Sequence, residues 1–340
     1  MPIASGLSAQ VGWSEETTYG TAVTVAKFAE FNQESVKLNI GRIESKSIRA
    51  ANRVLRNDRW IANKKGAAGD LEVEVQSKGM GLLFKHMLGS SVITTPGGAT
   101  LSRKHRYILG DIGAGANPSL TVQVGRPDIA GTVQPFTYKG VRVKDWEMSC
   151  DVDGILMLKL GLDAQDETTA TGLAAASFPA TSEVLNYVGG SFTLGGTYTL
   201  ATDVVAGGTA FDVMKFNVKS DNKINDGRYF IRANTLKKAP ILADLVDTTV
   251  TADVEFNTLT DYNRFANGTT GVFYALFAGS TIETTFKYQV EVIFPVVRFD
   301  GETPTIQGND VTTHTISMKP LFDGTNDPLV VTYQTTDTVD

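Results

Sequence analysis

The sequence holds a single cysteine, Cys150, in 340 residues. That excludes an internal disulfide and any metal site built on paired thiolates. Histidine is almost as scarce: His86, His105 and His314 lie too far apart to share a metal-ligand spacing. Phosphate-cradling loops are missing too. No strand-linked GxGxxG or GxxxxGK[ST] run occurs, and GDIGAGANPS at 110–119 has the spacing of neither. The longest strongly apolar stretches, YALFA and VIFPVV, fall far short of the roughly 20 residues that span a bilayer. MPIASGLSAQVGW shows no basic segment followed by an apolar one, which predicts a chain without a secretory leader, made in a cytoplasm. Base is not in excess either: 31 Lys and Arg face 37 Asp and Glu, a net charge of −6 that argues against a general nucleic-acid binder.

What is abundant is alternation. DLEVEVQ (70–76) puts Leu71, Val73 and Val75 on one side of a strand and Asp70, Glu72 and Glu74 on the other. The same rule picks out strands at 34–40, 119–124, 136–152, 154–162, 213–219, 249–257, 281–299, 311–319 and 328–336, most of them bounded by turn residues. One helix is clear: in GMGLLFKHMLG (79–89), Met80, Leu83, Phe84, Met87 and Leu88 share a face and Gly89 stops it. His86 flanks that packed face. A weaker helix is expected over TDYNRFANG (260–268), with Thr260 as cap, Tyr262 and Phe265 on one face and Gly268 as stop. GVFYALFAG, just after it, fits strand or helix equally.

The two halves of the chain share an order of elements. Each runs strand, excursion, acidic strand, helix and a block of strands. At a shift of 181 residues Glu72 meets Asp253, Glu74 meets Glu255, Val75 meets Phe256 and Phe84 meets Phe265. This predicts a tandem duplication: a first β domain over 1–163, a joint over 164–190 and a second β domain over 191–340. The excursion at 41–69 stands apart as a long structureless arm. From 42 to 65 it carries Arg42, Lys46, Arg49, Arg53, Arg56, Arg59, Lys64 and Lys65 against Glu44 and Asp58, a net of +6. With the whole chain at −6, the remainder sums to −12. Three readings of the arm stand open: a solvated charge run, a nucleic-acid-binding module, or a segment that docks on the acidic body of a neighbouring copy, with Trp60 as anchor.

Reactive chemistry is not apparent. Glu72 and Glu74, two apart on one strand face without a third partner, do not form an acid–base pair, and Cys150 beside Trp146 and Met148 reads as a small buried hydrophobe. The expectation is a protein that is not an enzyme and needs no cofactor or metal.

An ordered series of segments carries a family resemblance: AQVGWSEETTYGTAV (9–23), SIRAANR, VEVQSKGMGLLFKHMLG, LTVQVGRPD, PFTYKGVRVKDWEMSCDVDG and the C-terminal YQTT. Together they resemble the tail tube proteins of long-tailed (siphovirus-type) bacteriophages over nearly the whole chain. The resemblance implies a mainly β fold, each copy of the domain being two packed antiparallel sheets with one flanking helix. It implies a structural virion protein whose subunits close into rings that stack into the tail tube, the channel for DNA ejection. A duplicated chain implies trimeric rings with pseudo-six-fold symmetry. The implied partners are further copies of the chain, the tape measure, tail terminator and distal tail proteins, and DNA as transient cargo, with no membrane involved. On this reading Glu72, Glu74, Asp253 and Glu255 line the lumen, with Leu71, Val73, Val75, Val254 and Phe256 buried behind them. The arm contacts the adjacent ring or subunit. A tube from a contractile tail or injector is the other structural alternative.

Overall fold

A computed structural model describes residues 5–112, 119–301, 303–306 and 311–340, so most of the glycine-rich run at 110–119 lies outside the described residues. The fold is mainly β, with nearly every strand pairing antiparallel to its neighbours. In the first half the elements are β1 (Gln10–Glu15), β2 (Lys27–Ala29), β3 (Gln33–Glu34), β4 (Lys37–Glu44), β5 (Trp60–Glu74), α1 (Gly81–Leu88), β6 (Gly89–Thr94), β7 (Arg103–Leu109), β8 (Leu120–Pro127), β9 (Val133–Asp151) and β10 (Met157–Ala164). Short strands follow: β11 (Asp166–Thr168), β12 (Gly190–Leu194), β13 (Thr197–Thr199), β14 (Val204–Ala206) and β15 (Thr209–Ala210). The second half holds β16 (Lys215–Asp221), β17 (Ile224–Asn225), β18 (Ile241–Leu242), β19 (Asp247–Glu255), α2 (Leu259–Ala266), β20 (Thr270–Glu283), β21 (Phe286–Phe299), β22 (Thr313–Pro320) and β23 (Val330–Thr335).

The alternation in the sequence becomes burial in the fold. Leu71, Val73 and Val75 are buried, while Glu72 and Glu74 between them stay half-exposed. The long strand β9 serves two layers. Its first part pairs with β8, which pairs with β1 and through it β2, and its last part pairs with β10 and β16. Side chains of both layers, from Trp13 and Val122 to Leu71 and Leu160, meet in one continuous core. In the second half, Phe216 of β16 stacks on Phe273 of β20 at 6.1 Å, and Phe192 of β12 meets Phe277 of β20 edge-on at 5.7 Å. Offset and edge-on rings of this kind add to the area they bury.

Helix α1 is buried along almost its whole length and ends in Gly89, whose φ of 98° suits only glycine comfortably. Phe84 packs against Tyr107 of β7 and Tyr333 of β23 at 5.7 and 5.5 Å, so this helix seats on a sheet to which the C-terminal strand contributes. Helix α2 rides nearer the surface, with Phe265 only partly buried. Its N-cap is Thr258, not Thr260: the Thr258 hydroxyl accepts from the Thr260 N–H, and Asn267 caps the other end. GVFYALFAG resolves as strand β20, with Val272, Phe273, Ala275 and Phe277 buried.

The excursion at 41–69 is not a structureless loop. Residues 37–44 and 60–68 pair as an antiparallel hairpin, from Lys37 opposite Ala68 to Glu44 opposite Trp60. Only 45–59 form its tip. The hairpin escapes the alternation rule because both of its faces are exposed beyond the core, so neither face selects apolar residues.

Candidate functional site: an acidic sheet face and a basic hairpin

Strands β5, β10, β9, β16, β19 and β22 lie side by side in one sheet and join the two halves of the chain without a break. Their registers align side chains in rows. Asp70, Gly161, Asp145, Asp221 and Asp247 form one row, and Glu72, Lys159, Glu147, Lys219 and Thr249 form the next. Glu74, Met157, Ser149, Asn217, Thr251 and Ser317 follow, then Asp151, Lys215, Asp253 and Thr315, and finally Glu255 opposite Thr313. Because strand side chains alternate, every residue between these points the other way. Those residues, among them Leu158, Trp146, Met148, Phe216, Val218, Val250, Ala252, Ile316 and Met318, are buried.

The sheet therefore has a buried, mainly apolar back, in which Ser220, Thr248 and His314 are the polar members, and a mainly polar front interrupted by Gly161 and Met157. With Lys319, the front carries ten acids against four lysines, a net of −6 over six strands. All four acids singled out in the sequence, Glu72, Glu74, Asp253 and Glu255, sit on it. β5 and β19 are four strand steps apart, about 19 Å at the usual strand spacing. Leu71, Val73, Val75 and Val254 are buried behind them as expected. Phe256 is not: it lies past the end of β19, half-buried, with its ring 6.3 Å from that of His314.

Asp145, Glu147, Asp151, Asp221 and Asp247 lie on the same front beside the four acids singled out in the sequence. The signal was present in KDWEMSCD, where Asp145, Glu147 and Asp151 alternate with Trp146, Met148 and Cys150. Lysines temper the acids locally: Lys159 pairs with Asp70 at 3.1 Å, Lys215 with Asp151 at 3.7 Å and Lys319 with Asp247 at 2.5 Å. The hydrogen bond to Lys319 holds Asp247 below the usual carboxylate range. Asp145 goes the other way: its burial, then the nearby Asp70 and Asp221, raise it. Gly161 leaves the room above its Cα that the Asp145 carboxylate occupies.

The basic residues of the hairpin divide into two sets. Lys65 pairs with Asp166 at 2.5 Å, Lys64 stands 5.1 Å over the Tyr229 ring and the Tyr229 hydroxyl donates to the Lys65 carbonyl, so the base of the hairpin is fastened to its own body. Arg42 lies 5.6 Å over Trp60, which remains 45% exposed. Toward the tip, Arg56 and Arg59 share Asp58. Among the described residues, Lys46, Arg49 and Arg53 have no carboxylate within ion-pair reach. The same hairpin exposes Ile43, Ile48, Val54, Leu55 and Ile61, aliphatics that interleave with its bases.

The histidines are buried and separate. His86 contacts Glu15 at 3.1 Å, His105 lies between Asp340 and the Asp337 carbonyl, and His314 sits on β22. Among the described residues no group of three or more His, Cys, Asp or Glu is placed to hold a metal, and no helix is long and apolar enough to cross a membrane. Cys150 is buried, and desolvation pushes its thiol up to about 11.

A chain built as one charged sheet face over a continuous core, with a hairpin projecting from it, has the anatomy of a structural subunit. The family model described as phage tail tube protein matches residues 6–320, and the chain belongs to that family, which places it in the virion tail. No curated protein matches it.

Proposed function

We propose that this chain is the tube subunit of a long-tailed, non-contractile phage, that copies close into rings, and that stacked rings form the channel through which DNA leaves. The observation that carries the reading is the polar front with its net of −6, continuous through both halves. In a closed ring the face opposite the core lines a hole. A wall of carboxylates repels phosphate and offers few counterion-releasing contacts, which keeps passing DNA from sticking. The repulsion acts within about 8 Å of the wall at physiological salt. Glu72, Glu74, Asp253 and Glu255 are assigned to that lumen.

The order of pairings supports a duplicated chain, with domains at 1–163 and 191–340 and a joint at 164–190. The path β4–β5–β10–β9 recurs as β16–β19–β22–β21, and each acidic strand is followed by a helix. Three such chains would contribute 24 strands, and a barrel of that number at ordinary spacing and tilt measures about 48 Å between backbones. Closure also removes exposed strand edges. The hairpin, with Arg49, Arg53 and its exposed aliphatics, is assigned to the adjacent ring or subunit, a head-to-tail contact that propagates as a filament. At its two ends the tube would meet the tape measure, terminator and distal tail proteins.

Negative-stain microscopy of the purified protein tests this directly. Tubes with a central channel are expected; dispersed particles at every concentration would contradict it. A ring of six chains would overturn the trimer while leaving the tube intact.

A further inference from the structure

A cleft of about 280 Å³ opens at the end of the sheet where β9 of the first half meets β16 of the second. Phe192, Phe211 and Met214 wall it, and the buried Phe277 and Cys150 line it from the core. Val152 and Tyr187 continue the apolar lining and stay exposed. Two acids, Asp151 and Asp212, belong to the same lining, and Tyr187 is hydrogen-bonded to a third, Asp153. Lys215 lies 3.7 Å from Asp151 in an exposed pair. Among the described residues, Asp212 has no cation within ion-pair reach.

The basic hairpin leaves the sheet at its other end. Strand β5 runs about 46 Å from Trp60 to Glu74 at the usual strand rise. Glu74 is in line with Met157, Ser149 and Asn217, and Asp151 lies two residues further along β9. The tip, residues 45–59, lies beyond Trp60, so a chain cannot bring its own tip to its own cleft. The two surfaces are complementary. On the tip Ile48 is wholly exposed and Val54 largely so, and among the described residues Lys46, Arg49 and Arg53 have no carboxylate within ion-pair reach.

We infer that the cleft receives the hairpin tip of a second copy in the next ring, with Ile48 and Val54 against Phe192 and Phe211, and with Arg49 and Arg53 facing Asp151 and Asp212. The inference rests on the assignment of the hairpin to an adjacent ring or subunit, and it names the surface met there. Copies stacked in one orientation bring the tip end of one to the cleft end of the next, a head-to-tail contact that repeats without closing. Burial of the aliphatics supplies affinity, and the opposite charges fix the register. One tip and one cleft per chain leave neither unmatched within a stack.

A charge swap tests the pairing. Asp151→Lys with Asp212→Lys should polymerise only at a concentration about tenfold above that of the wild type, because two attractions become two repulsions. Arg49→Glu with Arg53→Glu is expected to behave alike, and the quadruple variant should return to within about threefold of the wild type, since the contacts are restored with their signs exchanged. A cleft variant that polymerises normally overturns the docking and leaves the tube standing. So does a quadruple variant that melts like the wild type yet stays defective. If a variant melts early, amide exchange on the wild type decides: residues 45–59 and 210–214 should both gain protection on assembly. Tubes in which either segment exchanges as freely as in dispersed protein overturn the proposal. Wild-type protein that never assembles overturns the docking and the tube reading together.

Discussion

Glu15 accepts from two residues of α1, Lys85 at 2.8 Å and His86 at 3.1 Å, and ties the N-terminal strand to the helix. Burial is the largest influence on both titrating partners, and it lowers His86 from its usual range. For Glu15 burial pushes upward, but the contacts with His86 and Lys85 outweigh it and leave the carboxyl lowered. Both folded-state values lie below the unfolded ones, so both contributions are present at neutral pH and are lost as pH falls. The histidine contribution begins to go below about pH 6.5 and the glutamate contribution below about pH 4.5. Urea titrations between pH 7 and 5 should therefore show declining stability in the wild type and a flatter profile in His86→Gln. A variant as steep as the wild type would remove His86 from the account. Phe84 makes a simpler case. It is fully buried between Tyr107 and Tyr333, and Phe84→Ala should cost about 3–5 kcal/mol of unfolding free energy.

Elements differ in how plainly the sequence announces them. DLEVEVQ, KDWEMSCD and TADVEFN reveal their strands because one face meets the core and the other does not. The α1 helix shows for the same reason, through Met80, Phe84 and Met87. The hairpin of β4 and β5 hides its strands, because a ribbon with two exposed faces has no binary pattern to show. Pairings between distant segments are equally hidden. Nothing local in KFNVKSD says that it lies against β9, and Glu34 and Arg126, 92 residues apart, give no hint of their ion pair. The four acids were legible as strand faces, but that they share one face needed the registers. At this scale the hairpin carries its own prediction. Arg49→Glu with Arg53→Glu should leave secondary structure and melting unchanged, since neither residue has a carboxylate partner among the described residues. Polymerisation should be strongly reduced in sedimentation assays. Normal tubes from this variant would refute the role of the hairpin.

At the scale of the whole molecule the charges are sorted: a net of +6 over residues 42–65 and −12 over the rest. On the proposed assembly, opposite fields on one subunit would steer copies toward head-to-tail contact and fix its register more than they would supply affinity. Tube formation should therefore slow as salt rises, because screening weakens the steering. The acidic front asks for a different test. Glu72→Lys with Asp253→Lys should still assemble, since both side chains lie on the polar face, but such tubes should retain added duplex DNA at low salt and release it at high salt. Wild-type tubes should retain little at either. The most direct measurement is a cryo-electron microscopy reconstruction of assembled protein. The account predicts rings around a channel with Glu72, Glu74, Asp253 and Glu255 on the inner wall. An assembly with those four carboxylates on its outer surface would contradict it.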